Sequence, residues 1–595
     1  MAIRAPRHKA VQKITYFRWR FGVFCFIFVF LFGAIMLRAV QLQIIDHQEY
    51  KEKAEGQHVR ESKLIGKRGN IYFQDLKLGS QFPVAINRKM YNVGIDAKQI
   101  AASSAENREK VINFIEANFP DRDKERLNEE LQKTDKQWYI FARDIPENVI
   151  KPIEEQGLKG FILEEEIERY YPENSLGSHI LGFVSQNTLE GQYGVEQYYN
   201  DILAGENGFE RGERDVRGTW LANTEREKQA AVDGSTLVLT IDHTLQFKLE
   251  EILGQLAEEY KTKVALGIIM DPKTGDVFAM AANPGFNINE YGQVEDIKVF
   301  RNPVISNLYE QGSIFKPITV GIGLENNIIT PTSTYEDKGR EVLNGFTIAN
   351  WSNKTYGTQT MGYALENSLN LGMTFIQRKL GRELFVAGIR DKFQVGNRTN
   401  IDLPGEANNN ISNITKSERD SREINYANAS FGQGISMTPI RMLTSFNSII
   451  NGGKIVRPRV VKSIQKPTGE IQTFEPEIQG QSMSEEKANE LAKMLVDVVE
   501  KGSGKQAAVP GYSIGGKTGT GQIAVGGKYI KDGGPTYQSF IEFATLDDPK
   551  YTLLISLDSP QGARFSDVSV VPKMRELNEF LLNYFEIKPD KPIND

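Results

Sequence analysis

From Phe21 to Leu37 the chain reads FGVFCFIFVFLFGAIML, seventeen residues without a charge, directly behind a stretch that carries Arg4, Arg7, Lys9, Lys13, Arg18 and Arg20 and no acid. As a helix rising about 1.5 Å per residue the run reaches roughly 25 Å, and a hydrocarbon core of about 30 Å is spanned once Arg20 and Arg38 snorkel and the flanking turns contribute. The one-sided excess of cations predicts a cytoplasmic tail at 1–20, an anchor at 21–42 and an extracytoplasmic location for everything beyond it. A cleaved leader peptide is the alternative. However, RAVQLQIIDHQEY continues in helical pattern without a small-residue cleavage site, so the anchor is expected to stay.

The remaining chain is too long for one core: 595 residues, 40% hydrophobic and 25% charged, imply at least two globular domains. A net charge of -6, with no concentrated basic surface past the N-terminus, argues against a nucleic-acid partner. The single Cys25 excludes an internal disulfide and a cysteine-rich metal site. Histidine is equally sparse: His8, His47, His58, His179 and His243, with none beyond 243, which disfavours a His-based zinc site.

Residues from about 46 to 230 are charged and irregular, with strand-like runs such as MYNVGI. The acids of LEEEIERYY read as a solvated face, because nothing fixes two of them across a site as glycoside chemistry requires. ANTEREKQAAVDGS reads as a linker. Beyond it STLVLTID is a strand, and Asp242 then caps a helix with Leu245, Leu249, Ile252, Leu256 and Tyr260 at helical spacing. VALGIIM and DVFAMAA form a hairpin through DPKTG. Near the C-terminus GYSIGGKTG, SFIEFATL and YTLLISLD read as strands, and PKMRELNEFLLNYF as a closing helix started by its proline. Strands from both ends with helices between them predict one α+β domain whose sheet is completed by its C-terminal part.

Three S-x-x-K strings occur, and two fail on geometry. Ser463 and Lys466 lie in a strand pair about a Pro-Thr-Gly turn, where residues three apart point to opposite faces. Ser484 reads as the cap of an acidic-starting helix, with Lys487 on its surface. The first string, YEQGSIFKPITVGIG, is different. Gly312 permits a sharp turn into a helix, and Pro317 falls in the opening turn, where a missing N–H costs little. Ser313 and Lys316 then share a face, with Ile314, Phe315, Ile318, Val320 and Ile322 around them. Desolvation lowers a lysine pKa, and a neutral amine can take the proton of an attacking hydroxyl. A capping serine with a snorkelling lysine is the structural alternative. A Ser-His-Asp enzyme is hard to assemble here, because His243 is the nearest imidazole in the chain and its position after a helix cap reads as surface.

GYSIGGKT also matches the phosphate-loop string G-x-x-x-x-G-K-T. That loop works only between a strand and a helix, and the following GTGQIAVGGKYIKDGG is too glycine-rich for a helix; GTGQIA fails as a dinucleotide string for the same reason. Read as a strand, the glycines at 515, 516, 519 and 521 leave an edge against which a peptide backbone can lie, with Lys517, Thr518 and Thr520 offering a cation and hydroxyls to a carboxylate.

S-I-F-K at 313–316, S-L-N at 368–370 and K-T-G at 517–519, in this order, resemble the three motifs of penicillin-binding proteins and serine β-lactamases. DPKTGDVFAMAANPGFN, ALENSLNLGM, ASFGQGISMTPIRM and SFIEFATLDDPKY resemble class B penicillin-binding proteins, and KRGNIY and YGVEQYYNDILAGENG resemble their pedestal. The S-x-N motif with one short tail resembles the division (FtsI-like) transpeptidases. The resemblance implies a pedestal (dimerisation-type) domain at 43–230, a transpeptidase domain at 231–587 with an antiparallel five-stranded sheet flanked by helices, and a tail at 588–595. It implies no cofactor and no metal.

The implied chemistry is D-Ala-D-Ala transpeptidation of peptidoglycan stem peptides. Ser313 is the implied nucleophile and Lys316 its base, with Ser368 relaying the proton, Asn370 orienting Lys316 and the substrate amide, and Lys517 supporting the network. Thr518, Gly519 and Thr520 would bind the substrate, and the backbone N–H groups of Ser313 and Thr520 would form the oxyanion hole. β-Lactam antibiotics would trap Ser313. Implied partners are the plasma membrane, a membrane glycan polymerase and other division proteins. Elongation-type transpeptidation, a carboxypeptidase, β-lactamase or β-lactam sensor with the same site, and a non-catalytic scaffold are the alternatives. Two departures stand out: Gln311 where the family often has proline, and FQDLKLG in place of an Asp-Arg-Asn-Gly turn. SPQGARFSDVSVVPKM matches the usual last strand poorly, which leaves the sheet edge open.

Overall fold

The computed structural model describes residues 11–47, 59–119, 139–213, 227–351, 354–416, 422–524, 526, 529–530 and 534–592. The chain divides into two compact units, Met1–Gly66 with Glu206–Val232, and Lys67–Gly205 with Asp233–Asp595.

The first unit holds the helix Val11–Val40, continued by a wider turn over Gln41–Ile45. Its apolar stretch Trp19–Ile45 is 27 residues long, and the side chains of Phe24 and Phe28 are exposed. At about 1.5 Å per residue it reaches roughly 40 Å, enough to cross a bilayer, with Arg20 and Arg38 included near the two ends of the span where their side chains can snorkel. The same unit carries a three-stranded antiparallel sheet of Val59–Leu64, Gly208–Glu213 and Glu227–Gln229. The linker reading of ANTEREKQAAVDGS needs correction here, since Glu227–Gln229 pairs with Phe209–Arg211; residues 222–226 lie outside the described residues.

In the second unit Thr236–Asp242 pairs in parallel with Ile71–Gln74 and antiparallel with Val461–Gln465, within a seven-stranded sheet that also takes in Gln81–Ile95, Tyr139–Pro146, Phe161–Tyr170 and Ile471–Thr473. Asp242 caps the helix His243–Tyr260 by accepting from Leu245 N–H at 2.8 Å. That helix covers one face of a second, five-stranded sheet, which is antiparallel throughout in the order Val277–Asn283, Val264–Met270, Tyr551–Asp558, Thr536–Ala544, Ile514–Gln522. Ala265, Ile269, Leu553 and Ile555 pack with Leu249, Leu256 and the closing helix Val571–Tyr584. Leu266, Ile268, Ile541 and Leu554 point the other way into a larger core with Phe315, Ile318 and Leu495. Burial on both faces explains why these strands read as continuous apolar runs rather than alternating ones.

The 559–574 segment contributes the short helix Ser566–Ser569 and the start of the closing helix, and the sheet is complete without it. Its poor match to a strand is thereby explained. Three smaller readings are corrected. Ser484 occupies the cap position of Glu485–Glu500, but its hydroxyl donates to the Glu325 carboxylate at 2.8 Å instead of capping. Lys487 is 18% exposed and paired with Glu490, so it is not simply surface. His243 is stacked on Phe82 with ring centroids 4.5 Å apart and is half-buried.

Candidate active site

Gly312 adopts φ 57°, a left-handed conformation that glycine takes without a Cβ penalty, and its N–H donates to Gly432 O at 3.1 Å. A 3-10 turn over Gly312–Phe315 follows, and the helix Lys316–Glu325 starts with Pro317 in its first turn, as expected. Ser313 is half-buried on that turn, whereas Lys316 is fully buried inside the helix. Gln311, the departure from proline, is 1% exposed and donates its amide to Met437 O at 2.8 Å. Tyr309 pairs with the same Met437, so the approach to the serine turn is fixed by a side-chain amide in place of a rigid ring.

Lys316 Nζ donates to Ser368 O at 2.6 Å and to Ser368 Oγ at 3.1 Å. Lys517 Nζ donates to the same Ser368 Oγ at 3.0 Å, and to Thr518 O and Oγ1 at 3.2 and 3.3 Å. Ser503, between two glycines after the helix Glu485–Glu500, shares a hydrogen bond of 2.9 Å with Thr518 Oγ1. Lys316, Ser368 and Lys517, from three distant segments, thus meet at one hydroxyl, with Thr518 beside them. Ser313 is one helical turn from Lys316, and Gly519 carries the strand against the serine turn. Asn370 donates its amide to Ala349 O at 2.8 Å, and Lys316's bonds among the described residues go to Ser368. The expected orienting contact from Asn370 to Lys316 is therefore not among the bonds of either side chain. Thr520 is half-buried on the strand, in register with Gln538.

Both ammonium groups are dry, and among the described residues neither has a carboxylate partner. Burial, and then the charge of Lys517, hold the Lys316 amine well below the usual lysine range. Burial alone brings Lys517 down to about 7. A neutral amine has a lone pair, so the Ser368 hydroxyl can donate to one lysine while accepting from the other, and a proton can pass through it.

The glycines of the strand do something other than leave a bare edge. A Cβ on Gly519 would lie 2.8 Å from Ile314 Cγ2, one on Gly521 2.3 Å from Glu310 O, and one on Gly515 2.3 Å from the Phe543 ring. They let the serine turn and the neighbouring strand close on this one. The outer edge of Ile514–Gln522 has no strand partner in its sheet, so its backbone remains available to an extended ligand. Sequence reasoning passed over Trp351 and Phe565, whose rings meet edge-to-face at 5.8 Å. Trp351 follows Asn350, whose side-chain Oδ1 accepts from Leu371 N–H, while Phe565 lies two residues beyond Ala563, whose carbonyl accepts from the Gln538 amide. No spacing rule in the sequence brings the two together.

A serine at the opening of a buried two-lysine pocket, beside an edge strand of an antiparallel sheet packed on both faces, defines a class of acyl-transferring serine enzymes. The Penicillin binding protein transpeptidase domain matches residues 265–579, and the Penicillin-binding Protein dimerisation domain matches residues 63–239. The chain belongs to the penicillin-binding protein family. It is similar to Stage V sporulation protein D of Bacillus subtilis, 28% identical over 579 residues that cover 95% of this chain and 86% of that protein. It is also similar to the Peptidoglycan D,D-transpeptidase FtsI homolog of Mesostigma viride, 30% identical over 480 residues, 76% of this chain and 78% of that protein. Penicillin Binding Protein 2X from Streptococcus thermophilus shares the fold, with a TM-score of 0.74 at 23% identity over 89% of this chain and 81% of that one.

Proposed function

We propose that the chain is a membrane-anchored peptidoglycan D,D-transpeptidase that joins stem peptides in septal wall synthesis and is acylated by β-lactams. The observation that carries this is the pair of dry lysines converging on Ser368 Oγ at 3.1 and 3.0 Å beside the serine turn. Ser313 Oγ attacks the carbonyl between the two terminal D-alanines as its proton moves to Lys316 Nζ. The proton then passes through Ser368 to the departing D-Ala amine as the C–N bond breaks, leaving an ester on Ser313. An amine of a neighbouring strand attacks the ester, forming the cross-link and returning the proton to Ser313. Lys517, Thr518 and Thr520 receive the terminal carboxylate along Gly519, and the N–H groups of Ser313 and Thr520 stabilise the oxyanion. Asn370, two residues beyond Ser368, is the proposed partner of the substrate amide.

The positive tail supports a cytoplasmic N-terminus with the catalytic part outside. The family matches at 63–239 and 265–579 support a pedestal followed by a transpeptidase domain, whose proposed bounds are 43–230 and 231–587. A membrane glycan polymerase and division proteins are the proposed partners. Fluorescent penicillin labels the full chain and leaves Ser313→Ala dark, and a D-Ala-D-Ala donor with an acceptor amine yields cross-linked product. An unlabelled wild type overturns the acylation reading, release of D-Ala without cross-linked product makes it a carboxypeptidase, and a tagged copy along the side wall instead of midcell makes it an elongation enzyme.

A further inference from the structure

A groove of about 770 Å³ opens between residues 394–400, Asn408 and 477–479, away from the residues of the acyl-transfer pocket. That volume is within the range of about 300–1,000 Å³ typical of ligand sites. Its walls are amide-rich. Asn397, Asn400 and Asn408 are exposed, and their side chains, like the guanidinium of Arg398, have no partner among the described residues. Gln479 donates its amide to Thr399 O at 2.9 Å and leaves its own buried carbonyl oxygen without a donor. Beneath the floor, the fully buried Arg441 donates to the carbonyls of Asn397 and Arg398 at 3.0 and 2.7 Å, which fixes the backbone carrying two of these side chains. Its remaining Nη1 has no partner.

We propose that this groove binds the glycan strand of peptidoglycan, a polymer of N-acetylated sugars that is neutral where its lactyl carboxyls are amide-linked to stem peptides; the inference rests on the peptidoglycan reading above and deepens it. A carboxamide presents donors and an acceptor in fixed geometry, and so complements sugar hydroxyls and N-acetyl amides, which also both donate and accept. Charge in the groove is nearly balanced: Glu477 is already held by Arg457 at 2.9 Å, which leaves Arg398 as the one free cation among the described lining residues. An anionic peptide tail would find a single partner there. Ile478, 59% exposed, offers an apolar contact to an acetyl methyl or a sugar C–H face.

The groove is also tied to the serine turn. Asn409 accepts from Thr438 N–H at 2.8 Å, Asn410 pairs with Ser436, and the neighbouring Met437 pairs with Tyr309. A strand held at Asn408 is therefore held by backbone that is hydrogen-bonded, through residues 436–438, to Tyr309 just before Ser313.

Full-length protein in detergent, titrated with glycan strands whose lactyl carboxyls are capped as simple amides, is expected to bind them saturably, with saturation transfer strongest at the acetyl methyls. The Asn397→Ala/Asn408→Ala variant is expected to weaken binding at least tenfold. Diazirine-bearing glycan strands, photo-cross-linked to the wild-type chain and mapped by mass spectrometry, should label residues 394–408 or 477–479; this arm does not depend on how the variant folds. Ser313→Ala is expected to bind glycan as the wild type does, and a wild-type chain that fails to react with penicillin yet binds glycan sinks the enzymatic reading alone. No saturable binding, labelling elsewhere, binding of isolated stem peptides in place of glycan, or unchanged affinity in a folded double variant overturns the groove proposal.

Discussion

Lys316 Nζ lies 2.6 Å from the carbonyl oxygen of Ser368, and Ser368 is held at φ 55°, in the left-handed region that side chains avoid. Such a conformation costs about 1–2 kcal/mol. It persists because Ser368 N–H donates to Leu365 O at 3.2 Å while two lysines take the hydroxyl. The strained residue turns both its carbonyl and its Oγ toward the buried amine, which keeps that amine supplied with acceptors where no carboxylate partner lies among the described residues.

Replacing Lys316 with arginine keeps a cation but removes any neutral form near physiological pH. Acylation by penicillin is expected to fall about 10²–10⁴-fold, the usual span of a general base. In the wild type, acylation should rise with pH as the depressed Lys316 amine loses its proton, at a pH well below 10.5. Stopped-flow labelling between pH 5 and pH 9, with a rate that falls as pH rises across the whole range, would remove the neutral-amine base.

Lys517 makes stability depend on pH in a defined direction. Its folded pKa is about 7 against an ordinary 10.5, so between those values the unfolded chain binds more protons and the folded state gains stability as pH rises. Lys517→Met therefore stabilises the fold by about 1–4 kcal/mol at pH 6 while abolishing acylation. The gain shrinks towards pH 10.5. Thermal melts at several pH values check both sign and window.

Gly521→Ala puts a methyl 2.3 Å from the Glu310 carbonyl, which belongs to the backbone just before the serine turn. The strand and the turn must separate, and we expect a loss of about 1–3 kcal/mol together with a marked fall in acylation rate. Gly254→Ala, in the helix His243–Tyr260 with nothing within 4 Å of the new methyl, should instead gain about 1 kcal/mol with acylation unchanged. Equal melting shifts for the two variants would refute the packing argument.

Glu196 is fully buried and accepts from Arg68 and Arg169, each at 2.7 Å. The two guanidinium groups hold its pKa below the usual range despite burial. Glu196→Ala leaves two buried cations unpaired and is expected to cost about 3–5 kcal/mol, read by chemical denaturation.

Much of this was legible in the chain because it is local. A helix start needs Asp242, a sharp turn needs Gly312, and two residues three apart on a helix share a face; each follows from a few neighbouring residues and backbone geometry. Composition argued against histidine and cysteine chemistries, and a string without charge announced the long apolar helix near the N-terminus. What distant segments do to one another was not legible. GGKTGTG reads the same whether its glycines only expose an edge or also admit Ile314 and Phe543, and only the packed structure shows that they do the second as well. Likewise, nothing near Ser368 in the sequence announces that Lys316 and Lys517 will both reach it. Periodicity is written residue by residue, whereas the closeness of segments 52 and 149 residues apart is set by how the whole core closes around them.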